Sequence, residues 1–315
     1  MEESQEHSKK HNDLIDLGFQ HIEKAVNQCY THIIAGKKGE RLVYPSKWKK
    51  FNRLLLGGLQ PGKMYVIAGR PGSGKSAFSN KLLFDLLEHP KNESKLLILY
   101  WSFEMPGYQQ LMRIGSSKIN QKISTILSVD TEFQDMHFEQ FIKVMNGYKK
   151  YPIYFNNNAR DVNYVSKITK RVHALYPDKT IINLFDHSRL FKKSKEESEL
   201  QMLTNLSHEC VELQQATGCI TILLSQLNRN IESPSRAENL YQPMLSDIFA
   251  SDSIAQDAHV VMIINRPHDM YNITAPYLGQ NPKNLLALHF EKNRDGELGM
   301  LPFDRDLSTF SIDER

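Results

Sequence analysis

Residues 64–87 read MYVIAGRPGSGKSAFSNKLLFDLL, an apolar run, a glycine-rich turn and an apolar-periodic segment in succession. The turn, Gly69–Ser76, satisfies GxxxxGK[ST]. Its spacing has a chemical reason. Glycines let the backbone turn tightly with its N–H groups directed inward at phosphate oxygens. Lys75 brings a positive charge to the β- and γ-phosphates, and the Ser76 hydroxyl is a ligand for Mg²⁺. The helix that follows aims the positive end of its dipole at the same anion. Gly69, Arg70, Pro71, Gly72, Ser73, Gly74, Lys75, Ser76 and Ala77 are therefore the candidate ATP-binding residues. The apolar strand before the turn and the helix after it are the context that this motif requires.

The same strand–loop–helix rhythm continues outward. Apolar runs at Leu96–Ser102, Ile153–Phe155, Thr180–Phe185, Ile220–Ser225, Val260–Asn265 and Leu285–Phe290 read as strands. Helical spacing occupies Ser76–Leu87, Tyr108–Lys118, Phe138–Tyr148, Val162–Leu175 and Glu197–Ala216. The alternation predicts an α/β fold with a mainly parallel, twisted sheet covered by helices on both faces. Gly299–Phe303 and Ser308–Ile312, split by Asp304–Asp306, suggest a terminal hairpin. Upstream, Leu14, Leu17, Ile22, Ala25, Val26 and Cys29 recur at helical spacing. We expect a tail over 1–11, an amphipathic helix over 12–35, a linker over 36–47 and the α/β domain over 48–315.

The 315 residues carry a net charge of +3, too small to argue for nucleic acid unless the charge is local. Three cysteines without CxxC spacing point to a reducing compartment and buried thiols. The N-terminus is polar and charged, and the longest apolar runs fall far below the roughly 20 residues of a membrane span. The expected setting is cytoplasmic, without a membrane partner. The twelve histidines show no metal-ligand spacing, and His187 is given no role.

Hydrolysis needs carboxylates as well as a phosphate cradle. Asp186 closes the run Thr180–Phe185, and an Asp at that strand end faces the crevice of an open α/β sheet. It is the candidate Mg²⁺-associated acid, with Ser76. Glu104 follows LLILYWS and is the candidate general base. Gln226 follows ITILLS, where a neutral amide suits a sensor of the γ-phosphate.

In order, the blocks GRPGSGKSAF (69–78), WSFEMPGYQQLMR (101–113), IINLFDHSRL (181–190), LLSQLNRNIE (223–232), PMLSDIFASDSIAQDAHVVMIINRP (243–267) and HFEKNRDGELGML (289–301) resemble the motor domain of DnaB-type replicative DNA helicases. The resemblance covers about Ser46–Phe310. It implies a RecA-like P-loop ATPase core in a homohexameric ring, with ATP between subunits, acting on single-stranded DNA in replication. Primase or a loader would be further partners. Lys292 and Arg294 match the positions that reach across to a neighbour's γ-phosphate, a duty suited to a permanently charged, planar guanidinium. The helix over 12–35 resembles the family's linker helix, which docks on the adjacent subunit.

Two departures stand out. The family normally carries a large N-terminal domain, so this chain resembles a stand-alone motor, a truncated form, or a mobile-element or phage version. After LSD the family has an Arg-Glu-Ser-Gly-type run that grips DNA; here Phe249, Ala250, Ser251 and Asp252 stand there. Losing an arginine and gaining an aspartate weakens contact with phosphate. Arg229, Arg236, Lys192 and Lys193 are the candidate replacements. The altered loop keeps a second reading open, a non-helicase RecA-like ATPase, recombinase-like or a regulatory switch.

Overall fold

The computed structural model describes residues 15–129, 133–158, 161–187, 191, 197–248 and 251–315, without the side chains of Ser251 and Asp252. The chain forms two compact units, Met1–Val43 and Tyr44–Arg315. In the first, helix α1 runs Ile22–Lys38. It begins later than its apolar periodicity suggests, because Gly18 adopts φ +91° and His21 caps the first turn through the Glu23 N–H. It ends at Gly39, in the left-handed region that suits a C-terminal glycine. None of its residues is buried. Ile22, Val26, Tyr30, Ile33 and Ile34 form an exposed apolar stripe. Cys29 is exposed too, against expectation, whereas Cys210 and Cys219 are buried.

The expected linker stops short of residue 47. Tyr44 pairs with Leu59, is 2% exposed and donates its hydroxyl to Thr180 Oγ1 at 2.5 Å. Tyr44–Lys47 thus belongs to the second unit, which opens with helix α2 (Lys49–Leu54). The strands are β1 (Met64–Gly69), β2 (Leu96–Ser102), β3 (Ile153–Asn156), β4 (Thr180–Asp186), β5 (Ile220–Gln226), β6 (Val260–Asn265), β7 (Leu285–Asn293), β8 (Gly299–Asp306) and β9 (Ser311–Glu314). The intervening helices are α3 (Lys75–Glu88), α4 (Gly107–Ile119), α5 (Ile123–Leu127), α6 (Asp135–Tyr148), α7 (Val162–Leu175), α8 (Glu199–Thr217), α9 (Ser251–Asp257) and α10 (Pro267–Tyr271).

One sheet holds all nine strands, in the order β3-β2-β4-β5-β1-β6-β7-β8-β9. The first six are parallel and the last three antiparallel. β1 is buried along its whole length, as a strand covered on both faces must be. Asp304 and Asp306 continue β8 rather than breaking it, with alternate residues facing out, and the turn falls at 307–310.

Each face of the sheet has its own core. On one, Trp48 stacks on Phe78 at 4.8 Å and meets Phe303 edge-on at 5.0 Å, fixing the phosphate-loop helix α3. Each such buried aromatic contributes about 1.5–3 kcal/mol. On the other, Trp101, Phe185, Met202, Leu206 and Leu223 pack under α7 and α8.

A polar cluster marks the β6–β7 pair. Asn265 Nδ2 donates to Tyr277 Oη at 3.1 Å, and that oxygen lies 3.0 Å from His289 Nε2. His289 is 5% exposed, and burial pushes its pKa down to about 4. The folded state therefore binds fewer protons than the unfolded chain between about pH 4 and 6.5, and stability falls as pH drops through that window. We expect His289→Leu to lose roughly 2 kcal/mol less than the parent between pH 7 and pH 5. Urea melts at both pH values measure this; equal losses would refute it.

Candidate nucleotide site

The sheet register gathers the predicted residues at one edge. Gly69 pairs with Gln226 across β1 and β5, and Ser102 with Asp186 across β2 and β4. The parallel strands therefore present Gly69, Asp186, Gln226 and the turn after Ser102 together. Glycine is required in the loop itself: a Cβ on Gly69 would meet Ser73 Oγ at 2.4 Å, and Gly72 and Gly74 take φ +74° and +100°. The Ser73 hydroxyl is buried with no partner.

A cavity of about 290 Å³ opens above the loop. Pro71, Gly72, Gly74, Lys75, Ser76, Ala77, Glu104, Asp186 and Gln226 all contribute to its wall. Lys75 is 9% exposed and donates to Gly69 O at 2.9 Å and Arg70 O at 3.1 Å. Burial lowers its pKa to about 8, while Asp186 and Glu104 hold it up. Asp186 is 3% exposed. Burial raises its pKa, and the Ser76 hydroxyl and the Lys75 charge act in the opposite sense. This hydroxyl–carboxylate pair fits a hard divalent cation, which would replace the missing solvation of Asp186. Among the described residues no three His, Cys, Asp or Glu side chains cluster to hold a metal by themselves. A magnesium ion here would take its remaining ligands from phosphate and water.

Several wall residues escaped the sequence reading. Arg113 on α4 holds its guanidinium 4.9 Å from the Phe310 ring, and Leu307 and Phe310 close the same side. His187 Nε2 lies 3.4 Å from Gln226 Nε2 and 3.9 Å from Glu104 Oε2. Arg113 ends the block WSFEMPGYQQLMR and His187 follows Asp186 directly, but the sequence assigned a role to neither; nothing local marked Leu307 or Phe310. Arg70 turns away from the cavity, donating to Glu232 Oε1 at 2.7 Å and Leu227 O at 2.9 Å.

Lys292 and Arg294 are not brought to this cavity. β7 runs antiparallel to β6, with Val260 opposite Asn293 and Asn265 opposite Ala287. The end of β7 therefore lies at the sheet edge opposite the phosphate loop, about 20 Å away for six residues of strand. There Lys292 Nζ donates to Ala255 O at 2.6 Å and Gln256 O at 2.7 Å, and Arg294 Nη2 to Gln256 O at 2.6 Å. Of the candidate DNA contacts, Arg236 is committed to Asp247 by two 3.0 Å bonds, which removes it as a free phosphate ligand, whereas Arg229 is exposed. Lys192, Lys193, Phe249, Ala250 and the side chains of Ser251 and Asp252 lie outside the described residues.

Known proteins match both chain and fold. The family model for the DnaB-like helicase C terminal domain matches residues 44–311. Replicative DNA helicase DnaB of Mycoplasma pneumoniae is 28% identical over 273 residues, 82% of this chain and 55% of that protein. Replicative DNA helicase DnaC of Bacillus subtilis is 25% identical over 304 residues, 94% of this chain and 63% of that protein. The chain thus spans little more than half the length of these relatives. A solved ATPase domain superposes with a TM-score of 0.82 at 21% identity, covering 94% of this chain and 99% of that one. A DnaB-like replicative helicase, studied for its interactions with primase, gives 0.80 at 20%, covering 94% and 67%. These two show the RecA-like fold. Among the described residues no helix is long and apolar enough to cross a membrane. With 268 contiguous residues under one family model, from Tyr44 to Ser311, the chain belongs to the DnaB-like helicase C-terminal domain family.

Proposed function

We propose that this chain is the ATP-hydrolysing motor of a hexameric DNA helicase that moves along single-stranded DNA during replication, in the cytoplasm. The observation that carries the reading is the division of the chemistry between two edges. Lys75, Ser76, Glu104, Asp186 and Gln226 meet at one cavity, and Lys292 and Arg294 sit at the far end of β7. A site split this way is completed by a second copy of the chain.

In this reading the loop N–H groups and Lys75 hold the triphosphate. Ser76 and Asp186 hold magnesium, which neutralises charge on the phosphates when bound. Glu104 takes the proton of the attacking water, and Gln226 contacts the γ-phosphate. The adenine base would stack on the face of Phe310 that Arg113 does not cover. Aromatic stacking on a base is worth about 1–3 kcal/mol, so we expect Phe310→Ala to weaken ATP binding by about 10-fold or more and to leave kcat nearly unchanged. Titration with a fluorescent ATP analogue measures this; unchanged affinity would remove Phe310 from the base subsite.

The exposed stripe on α1 supports its docking on a neighbouring subunit, and Arg229 is an exposed cation for DNA phosphates. Primase and a loader are partners consistent with the family. Unwinding of a forked duplex with ATP and Mg²⁺, with micrographs showing six copies around a strand, tests the reading. ATP turnover that is indifferent to single-stranded DNA would favour the switch-type ATPase.

A further inference from the structure

Three polar side chains run in single file through the core behind the cavity. Asn80, Gln110 and Ser102 are 1%, 0% and 1% exposed. Asn80 Nδ2 donates to Gln110 Oε1 at 2.6 Å, and Gln110 Nε2 donates to Ser102 Oγ at 3.3 Å. The Ser102 hydroxyl donates in turn to the Met105 carbonyl. All three donors point the same way, from the phosphate-loop helix α3 to the turn that carries Glu104. Polar groups this deep are costly unless bonded, and an apolar trio of the same shape would fold as well. Their ordered direction therefore asks for another reason.

Glu104 supplies it. Its side chain is 60% exposed and meets His187 Nε2 only at 3.9 Å, so the backbone of its turn chiefly sets where the carboxylate stands. That turn is pinned by Phe103 N–H to Asp186 O at 3.1 Å on one side of Glu104 and by Ser102 to Met105 O on the other. Gln110 also lies on the same helix as Arg113, three residues on. The file thus ties the helix that holds the phosphates, the strand end that bears the base and the helix that carries Arg113.

We infer that Asn80, Gln110 and Ser102 are positioning residues for hydrolysis, acting through Glu104 by fixing the turn at 103–105. The inference rests on the reading of the site as an ATPase with Glu104 as base. It makes a directional demand at position 110: the amide accepts from Asn80 and donates to Ser102. Methionine there keeps the volume and breaks both bonds.

The experiment measures kcat, and affinity for a fluorescent ATP analogue, for Gln110→Met in the parent and in a Glu104→Gln background. Misplacing a reacting group by about 1 Å can lower turnover 10²-fold. We expect kcat to fall about 10- to 100-fold with affinity held within about 2-fold. In the Glu104→Gln background, single-turnover hydrolysis should not fall further. Ser102→Ala, a smaller change, should repeat the pattern with a lesser loss and keeps the test open if Gln110→Met does not fold. An equal fold-loss with and without the Glu104 carboxylate overturns the inference, as does a loss confined to affinity. Full activity of Glu104→Gln alone would instead overturn the site reading on which it rests.

Discussion

Lys75→Ala is expected to lower ATP turnover by about 10³-fold or more, the largest effect of any single change within the cavity. Lys75 and Arg113 are the cations among the described residues of its wall, and Lys75 alone rises from the glycine loop. Without nucleotide the ammonium rests on Gly69 O and Arg70 O, so it stands where the phosphates must arrive. It is charged below about pH 8, and the nearby Asp186 and Glu104 favour that charge. Removing it withdraws a buried positive charge from phosphates whose negative charge shifts as the bond breaks, and a donor in such a water-poor site is worth several kcal/mol. It also leaves Asp186 with less to offset its burial. Lys75→Arg should not rescue activity, because a planar guanidinium does not fit a seat shaped for a compact ammonium. Phosphate release under saturating ATP and Mg²⁺ measures the effect; parental rates in Lys75→Ala would separate the loop from the chemistry.

The sequence announced some of this site and hid the rest for physical reasons. Gly69–Ser76 was legible because a backbone cradle needs glycines and Lys at fixed spacing. Asp186 and Gln226 were legible because each closes an apolar run, and a run's end is a strand's end. Arg113, Leu307 and Phe310 were not, because they come from distant places and meet only through packing; His187 adjoins Asp186 in sequence, but its neighbours Gln226 and Glu104 are brought to it only by the fold. Phe310 reaches the cavity because the β8–β9 hairpin turns over it, and Asp304 and Asp306 looked like a break when they are the outward half of β8. The start of α1 was misjudged because apolar spacing runs on through Gly18, where the backbone does not. Tyr44–Lys47 has the composition of a linker, yet Tyr44 is anchored by Leu59 and Thr180, partners 15 and 136 residues away.

Arg294→Ala is expected to spare nucleotide binding and to reduce turnover by about 10³-fold, as the loss of an arginine finger does. The sheet itself argues that Arg294 serves a different copy of the chain. β7 carries it away from Gly69, Asp186 and Gln226 to the opposite edge, beyond the reach of any side chain to its own γ-phosphate. Its present partner, the carbonyl of Gln256 at 2.6 Å, is a backbone group at the end of α9 that a phosphate can replace. Exposure makes the guanidinium available, and Lys292 beside it adds a second charge. The decisive measurement mixes two inactive variants. Copies bearing Lys75→Ala still present Arg294, and copies bearing Arg294→Ala still present an intact phosphate loop. In a ring assembled at random from equal amounts, about a quarter of the interfaces join the two intact halves. Turnover should therefore reappear on mixing and vanish again when both changes are placed in every copy. If each variant is inactive alone and remixed rings stay inactive at every ratio, the finger does not act between subunits. If Arg294→Ala alone keeps parental turnover, Arg294 is only a surface charge at the end of β7.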